Sequence, residues 1–260
     1  MSTSTKRNLT LSPQKRALLA SLLEGEGVTA PLGHAIPRRS ADSPVRLSFS
    51  QERVWFLEQL QPGSPVHNIP AAFRLPGLLN VSALERSINE MVRRHEVLRT
   101  TFSSSDGQPL QVIAPHLEVK LEQVDLTSIP FSAREMEAYR LAAEEALLPF
   151  DLEHGPLLRT KLLRLTGMDH MLLLSLHHII ADGWSMTIVW RELAALYQTY
   201  TSGRAVALPE LPIQYADFAQ WQRNYLRGEV LDNHLAFWRK QLAGAPTVLE
   251  LPTDRARPAF

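Results

Sequence analysis

The pattern of apolar and polar residues predicts a sheet built around one fully buried strand. The run from Met171 to Leu174 contains no polar residue, which is typical of a central strand covered on both faces. A neighbouring strand is predicted at Leu157–Leu165, and the Gly167–Asp169 turn predicts that it pairs antiparallel with Met171–Ile179. Further strands are predicted at His67–Leu75 and Leu117–Val124, and a hairpin turn at Asp106-Gly107.

Helices are predicted where apolar residues recur every three or four positions. The longest begins after Gly183 and ends at Gly203, with a stripe of Val189, Leu193, Leu196, Tyr197 and Tyr200. Ser50 is predicted to cap a helix that continues to Leu57, and Ser82 with Glu85 a second one that carries His95 as a satisfied core histidine. A second capping box, Ser132 with Glu135, begins a helix whose apolar stripe is Met136, Tyr139, Ala143 and Leu147. One more helix is predicted along Leu231, Leu235, Trp238 and Leu242.

Two adjacent histidines, His177 and His178, follow the buried strand, and an Asp-Gly-Trp-Ser turn comes next. Successive side chains of a strand point to opposite faces, so the two imidazoles cannot share one task. One can face a substrate space while the other is held inside as a hydrogen-bonding residue. A zinc site formed by His177, His178 and Asp182 is disfavoured for the same reason, because adjacent strand histidines diverge.

Composition narrows the class of protein. The chain has 260 residues, 45% of them apolar, and equal numbers of basic and acidic residues, 27 each. The balanced charge gives no electrostatic argument for nucleic acid. The absence of cysteine excludes disulfides, thiolate catalysis and cysteine-ligated metals. No apolar run reaches membrane-spanning length and MSTSTKRNLT lacks the apolar core of a secretory signal, so a soluble cytoplasmic protein is expected.

The chain divides into a leader, residues 1–44, and a main domain, residues 45–260. The leader contains a short amphipathic helix at 11–24, with Ser12 as its cap, followed by a linker rich in Gly and Pro. This helix either docks to another subunit or is a loosely packed leader.

The stretch His177–Ser185, HHIIADGWS, resembles the HHxxxDG signature of condensation domains in nonribosomal peptide synthetases. These domains belong to the superfamily of chloramphenicol acetyltransferase-like acyltransferases. Other stretches resemble further motifs of the family in the right order: Ser48–Leu57 (SxAQxRxWxL, with Ser50 in place of Ala), Arg94–Phe102 (RHExLRTxF), Pro149–Arg159 (PFDLxxGPLLR), Tyr215–Trp221 (YxDFAxWQ) and Leu251–Pro258 (LPTDRPRP). The aromatic spacing of Tyr215–Trp221 is also ordinary core spacing, and we treat that motif as structural.

The resemblance implies an α/β fold, a mixed sheet flanked by helices. In the family this is the first half of a two-lobed, V-shaped domain with the active site between the halves. The resemblance covers about residues 45–260, and the later motif containing Val-Asn-Thr is absent. We therefore expect the N-terminal half with the start of the crossover, without the C-terminal half, and expect the 260 residues alone to be inactive in condensation.

The resemblance also implies an activity and its site. An upstream peptidyl carrier protein holds an acyl or peptidyl thioester on phosphopantetheine, a downstream carrier holds an aminoacyl thioester, and the amine attacks the upstream carbonyl. No cofactor is bound directly, because the phosphopantetheine arms deliver both substrates and meet at the second histidine of the motif, His178. His177, Asp182 and Gly183 are expected to be structural: Asp182 paired with an arginine, either Arg99 or one in the second half, and Gly183 permitting a tight turn.

The chemistry fits one neutral imidazole, because a thioester is already an activated acyl donor. Imidazole can accept the proton lost in the attack or hydrogen-bond the tetrahedral intermediate. The amino-acid sequences of these motifs resemble those of the condensation-domain subtype that joins two L-configured residues. Two alternatives stay open: a stand-alone acyltransferase using coenzyme A, which the complete motif pattern disfavours, and a non-catalytic recruitment platform, which usually loses the histidine motif. No nucleic acid, membrane or metal is expected, and adjacent synthetase domains or subunits are expected partners.

Overall fold

The computed structural model describes residues 35–40, 44–105, 107–203, 208–248, 252 and 254–255. The helix predicted at 11–24 lies outside these residues, as does most of the stretch 251–258. Residues 1–37 form a separate unit, of which only 35–37 are described, and the unit from Arg38 onward contains every helix and strand given below.

The described elements follow in chain order. They are β1 (Val45–Arg46), α1 (Phe49–Leu60), a 3₁₀ turn (Pro65–His67), β2 (Asn68–Pro76), α2 (Val81–Arg94), a second 3₁₀ turn (Glu96–Arg99), β3 (Thr100–Ser105), β4 (Gln108–Ile113), β5 (Glu122–Asp125), α3 (Phe131–Leu147), β6 (Leu158–Thr166), β7 (Asp169–His177), α4 (Gly183–Ser202), α5 (Tyr215–Tyr225) and α6 (Glu229–Gln241).

The main sheet has the strand order β2-β7-β6-β5 and is mixed. Strand β7 pairs antiparallel with β2, where Asn68 lies opposite His177, and with β6, where Leu158 lies opposite Leu176. Strand β5 pairs parallel with β6. The predicted β6–β7 pair and the central place of β7 are confirmed. A smaller sheet, β1-β4-β3, contains the hairpin predicted at residues 106–107, where Gly107 adopts a left-handed φ of 74°.

The alternating side chains of β7 are buried in two separate clusters. Leu172, Leu174 and Leu176 pack in the larger core, together with apolar residues of α2 and α4. Met171 and Leu173 pack in a smaller cluster with Ala138 of α3. Helices therefore cover both faces of the strand, and each fully buried leucine stabilises the fold by about 1.5–3 kcal/mol relative to an exposed one. This is the physical basis of the all-apolar run.

The helix after Gly183 is confirmed by α4, which ends at Gly203 with a left-handed φ of 67°. Its predicted stripe is also correct, since Val189, Leu193 and Leu196 are buried. Arg94 to Phe102 makes the expected change from helix to strand, through one 3₁₀ turn.

The helix caps were predicted at the wrong residues. Ser48, not Ser50, caps α1, because its hydroxyl accepts the Gln51 N–H at 3.2 Å while Oε1 of Gln51 accepts the Ser48 N–H at 3.0 Å. Asn80, not Ser82, caps α2, and α3 begins after Pro130 with no side-chain cap. The capping boxes fail because Glu85 accepts a hydrogen bond from the Leu121 N–H and Glu135 pairs with Arg74.

The face of α3 and the extent of β5 also differ from expectation. Met136, Tyr139 and Leu147 are exposed, and α3 instead turns Ala138 and Glu145 toward the sheet. The ion pair of Glu145 with Arg159 of β6, 2.6 Å long, holds this orientation. The strand predicted from Leu117 begins only at Glu122, because side chains of α2 bind the preceding backbone N–H groups of Val119 and Leu121.

Within the described part of the chain, none of the helices combines the length and apolar character needed to cross a membrane.

Candidate active site

A cavity of about 600 Å³ opens at the carboxyl end of β7. Residues of α1, the first 3₁₀ turn, the loop after β7 and the starts of α4 and α5 line it. Its polar lining groups include Gln51, His67, His95, His178, Asp182 and Tyr215.

His178 lies one residue beyond β7, and its side chain is exposed to the cavity. Its main-chain N–H donates a 2.8 Å hydrogen bond to the carbonyl oxygen of His67. The described residues provide no hydrogen-bond partner for its imidazole. The backbone of His178 is therefore fixed by the sheet while its ring is free to meet a bound molecule, as the strand pattern predicts.

His177 points the other way and is only 1% exposed. Its Nδ1 accepts the Ile179 N–H at 3.2 Å, so a neutral ring carries its proton on Nε2, 3.3 Å from Oε1 of Glu58. Burial lowers the pKa of His177 below 6.5, against the opposing effect of Glu58. His177 is thus a neutral, internally bonded histidine, buried where the side chain of His178 is exposed.

Glu58 lies between two histidines. Its Oε1 is 2.7 Å from Nδ1 of His67 as well as 3.3 Å from Nε2 of His177, and these three groups are close enough together to resemble a metal site. The hydrogen bonds argue against a metal. A cation on Nε2 of His177 would displace its proton to Nδ1, where the Ile179 N–H already points. The donor set therefore fits a hydrogen-bonded cluster.

Sequence reasoning missed both Glu58 and His67. Glu58 lies at the end of α1 and His67 at the end of a 3₁₀ turn, so neither helical nor strand periodicity connects them. The contact arises only because the chain reverses between Gln61 and Pro65.

Asp182 is exposed and forms the N-cap of α4. Its Oδ1 accepts hydrogen bonds from the Ser185 hydroxyl at 2.6 Å and the Ser185 N–H at 2.8 Å. These bonds lower the pKa of Asp182 below its usual value. The partly buried ion pair expected for Asp182 is not found among the described residues.

Arg99 is not the partner of Asp182, so that prediction is wrong. Its guanidinium donates to the carbonyl oxygen of Ala114 and lies 3.9 Å from Glu96. The second 3₁₀ turn directs the side chain toward the end of β4 instead of the cavity. The steric reason predicted for Gly183 is also wrong, since a Cβ at Gly183 would meet no described atom within 4 Å and its φ is not left-handed.

Other motif residues hold the cavity walls in place. Nε2 of Gln51 donates to the carbonyl oxygen of Ile179 at 3.2 Å, which ties α1 to the loop after β7. The hydroxyls of Tyr215 and Ser48 lie 2.9 Å apart. His95 is satisfied as predicted, by Glu192 at 2.7 Å, although it lies just past the end of α2.

Asp217 supports the structural interpretation of the YxDFAxWQ stretch. It is buried, forms an ion pair of 3.0 Å with Arg39, and accepts the Gln214 N–H at 2.8 Å at the start of α5. It does not line the cavity.

The cavity thus offers one unbonded imidazole, His178, above a largely apolar wall. Such a group can accept a proton or donate a hydrogen bond to a developing oxyanion. The chemistry best suited to it is attack by an external nucleophile on a carbonyl that is already activated.

Comparison with known proteins agrees with this geometry. The model of the family described as the condensation domain matches residues 42–260. One of the linear gramicidin synthase subunits of Brevibacillus parabrevis is 49% identical over 241 residues, which are 93% of this chain and 3% of that protein. Phosphinothricin tripeptide synthetase PhsC of Streptomyces viridochromogenes is 48% identical over 250 residues, 96% of this chain and 23% of that protein. The chain therefore spans only a small part of these relatives.

Solved structures give the same picture. The X-domain from teicoplanin biosynthesis superposes with a TM-score of 0.74 and 33% identity, covering 87% of this chain and 49% of that one. The starter condensation domain of rhizomide synthetase superposes with a TM-score of 0.71 over 79% of this chain and 49% of that one, and at 23% identity this likeness concerns the fold alone.

Proposed function

The chain belongs to the condensation-domain family of nonribosomal peptide synthetases, and from that membership we propose that it contributes His178 to amide-bond formation between two carrier-bound substrates. The acceptor is an aminoacyl thioester on a downstream carrier protein. The donor is an acyl or peptidyl thioester on an upstream one. Phosphopantetheine arms of the carriers bring both to the cavity.

The observation that carries this proposal is the environment of His178. Its ring faces the cavity and is unbonded within the described residues, while its main chain is fixed by His67, the residue just before β2. A group so placed can meet substrates that enter from outside. The neighbouring His177 is buried and fully bonded, so it supports the site without touching substrate.

The reaction needs no nucleophile from the protein. The amine nitrogen attacks the thioester carbonyl carbon, and a C–N bond forms as the carbonyl electrons move to oxygen. The nitrogen then loses a proton, the C–S bond breaks, and the sulfur leaves as a thiol after taking up a proton. His178 either relays the nitrogen proton to sulfur or orients the intermediate by a hydrogen bond.

Holding the two thioesters close together supplies a large part of the rate enhancement. Effective molarities for well-oriented groups reach about 10⁵–10⁸ M, which is worth roughly 7–11 kcal/mol of barrier. The apolar residues of the cavity wall, such as Leu57, Ile180 and Val189, favour exclusion of water from this encounter.

A recruitment platform is the second candidate. The X-domain, whose complex with OxyB has been solved, superposes on 87% of this chain with a TM-score of 0.72 and 32% identity. A protein of that kind would bind a partner without forming product. The docking role of residues 11–24 and the cytoplasmic location stay predictions.

The test uses a two-half protein, in which these 260 residues are followed in the same chain by the second half of a condensation domain. It is mixed with a donor carrier loaded with an acyl group and an acceptor carrier loaded with an amino acid. Condensed product on the acceptor carrier, detected by mass spectrometry, is the expected result. Carrier binding without product would favour the recruitment platform, and the 260 residues alone serve as the comparison expected to be inactive.

A further inference from the structure

We propose that His67, held by Glu58, is a second catalytic histidine that removes the first proton from the incoming ammonium group. This rests on the proposed amide-forming function and adds a residue to it. Two of the imidazoles that line the cavity, His67 and His178, would then serve two different protons.

His67 and Glu58 are in direct contact through their side chains. Nδ1 of His67 lies 2.7 Å from Oε1 of Glu58, whose side chain is 7% exposed, and the His67 side chain is 17% exposed. The same oxygen accepts the Nε2 proton of His177 at 3.3 Å. A carboxylate that receives two N–H groups is an acceptor, so the His67 proton lies on Nδ1.

The second ring nitrogen of His67, Nε2, is left without a proton. With its proton fixed on Nδ1, the neutral His67 ring carries a free lone pair on Nε2. That atom has no hydrogen-bond partner in the described chain and is not among the buried unpartnered atoms. His67 lines the same cavity as His178, so this lone pair is accessible to a molecule in the cavity.

A carboxylate behind an imidazole favours proton uptake at the opposite nitrogen, since it stabilises the imidazolium that forms. His67 has such a carboxylate within hydrogen-bond distance, whereas none of the described carboxylates forms a hydrogen bond with the ring of His178. The titratable side chains in contact with the His67 ring are Glu58 from α1 and His177 at the end of β7, while His178 meets His67 through its main-chain N–H. Of these, only Glu58 is anionic.

The reaction removes two protons from the nitrogen of the incoming ammonium group. An α-amine has a reference pKa of about 7.7–8.0, so at pH 7 most of it arrives as ammonium. Nε2 of His67 takes that first proton and later passes it to solvent. After C–N bond formation, the second nitrogen proton goes through His178 to the leaving sulfur. The overall change is ammonium plus thioester to amide, thiol and one released proton.

The first variant to test is His67→Asn in the two-half protein. The asparagine amide can replace the Nδ1–H donor to Glu58 but offers no basic nitrogen at the position of Nε2. Only about 9–17% of an α-amine is neutral at pH 7, so we expect a single-turnover rate about six- to elevenfold below wild type at pH 7. By pH 9 the amine is neutral in solution, and the two rates should converge.

A second measurement replaces the acceptor by an aminooxy analogue, whose nitrogen is neutral at pH 7. This acceptor should give equal rates for wild type and His67→Asn, while His178→Ala remains slow with both acceptors. His154→Asn, at an exposed histidine paired with Asp151 outside the cavity, is the matched control.

The outcomes separate the two proposals. Wild type without product at any pH would contradict the proposed function itself. A second outcome would overturn only the role of His67. In it, wild type forms product, and the ratio of the wild-type rate to the His67→Asn rate is the same at pH 7 and pH 9 and with both acceptors. If His67→Asn fails to fold, Glu58→Gln is measured in the same way, and a pH-independent rate ratio for it would also overturn the proposal.

Discussion

The main-chain N–H of His178 donates a 2.8 Å hydrogen bond to the carbonyl oxygen of His67. This bond continues the β2–β7 ladder one step beyond the last strand pair, Asn68 with His177. The position of the cavity histidine is therefore set by the sheet, and its freedom is confined to the ring. His67 itself also lines the cavity.

Asp182→Ala should destabilise the protein modestly. Asp182 caps α4 through Ser185 and is exposed, so the expected cost is that of a lost N-cap, about 0.5–2 kcal/mol, instead of that of a broken buried ion pair. Chemical unfolding of the 260-residue chain measures this. Asp182→Asn, which keeps a capping oxygen, should lose less, and a loss above about 3 kcal/mol for Asp182→Ala would indicate a buried partner.

Asp182 should also make stability depend on pH. Its pKa is lowered in the folded state, so its contribution is present above the unfolded pKa near 3.8 and is lost as pH falls through the folded pKa. The difference in unfolding free energy between wild type and Asp182→Asn should therefore shrink below about pH 4. A difference that stays constant down to pH 2 would contradict this assignment.

His177 should make the fold weaker in mild acid. Burial lowers its pKa below 6.5 in the folded state, so the unfolded chain binds a proton first. Stability is at its full value above pH 6.5 and falls as the pH decreases from 6.5 toward the folded pKa. Glu58 opposes this decrease, while His67 and His178 reinforce it.

The measurement compares wild type with His177→Gln by urea unfolding at several pH values from 8 to 5. His177→Gln should be less stable at pH 8, because the bonds to Glu58 and Ile179 are perturbed. The gap should narrow toward pH 5, since glutamine does not titrate. A gap that widens in acid would mean that His177 is charged in the folded protein.

The 260-residue chain should self-associate through α6. None of the described residues of this helix is buried, and its exposed side chains include the large apolar groups Leu235, Phe237 and Trp238. An apolar face of this kind favours association. Sedimentation analysis should show oligomers that Leu235→Glu with Trp238→Glu dissociates, whereas Arg239→Glu on the same helix should not. A monomer at all concentrations would contradict the prediction.

Local patterns predicted the elements that position the site. Strand β7 is buried on both faces, which requires its run of apolar residues. Helix α4 is buried on one face, which requires its apolar stripe. Both patterns can therefore be read directly from the sequence. The divergence of His177 and His178 follows from strand geometry alone. These features required no knowledge of distant contacts.

Contacts between distant segments were not predictable in the same way. The orientation of α3 depends on Glu145 meeting Arg159, and the caps depend on which serine or asparagine reaches a free N–H. Arg99 was one of two candidate partners for Asp182, but the fold directs it to Ala114. Glu58 and His67 come into contact because the chain reverses direction between them, and no periodic pattern in the sequence indicates this contact.

The most direct test of the account is the single-turnover rate of amide formation by the two-half protein with His178→Ala, measured by rapid quench with both carriers loaded and saturating. The account predicts a decrease of about 100-fold or more at pH 7 and pH 9 alike, with an unchanged melting temperature, while His154→Ala keeps the wild-type rate. A rate for His178→Ala within a factor of about three of wild type would contradict it, because His178 would then be no part of the chemistry.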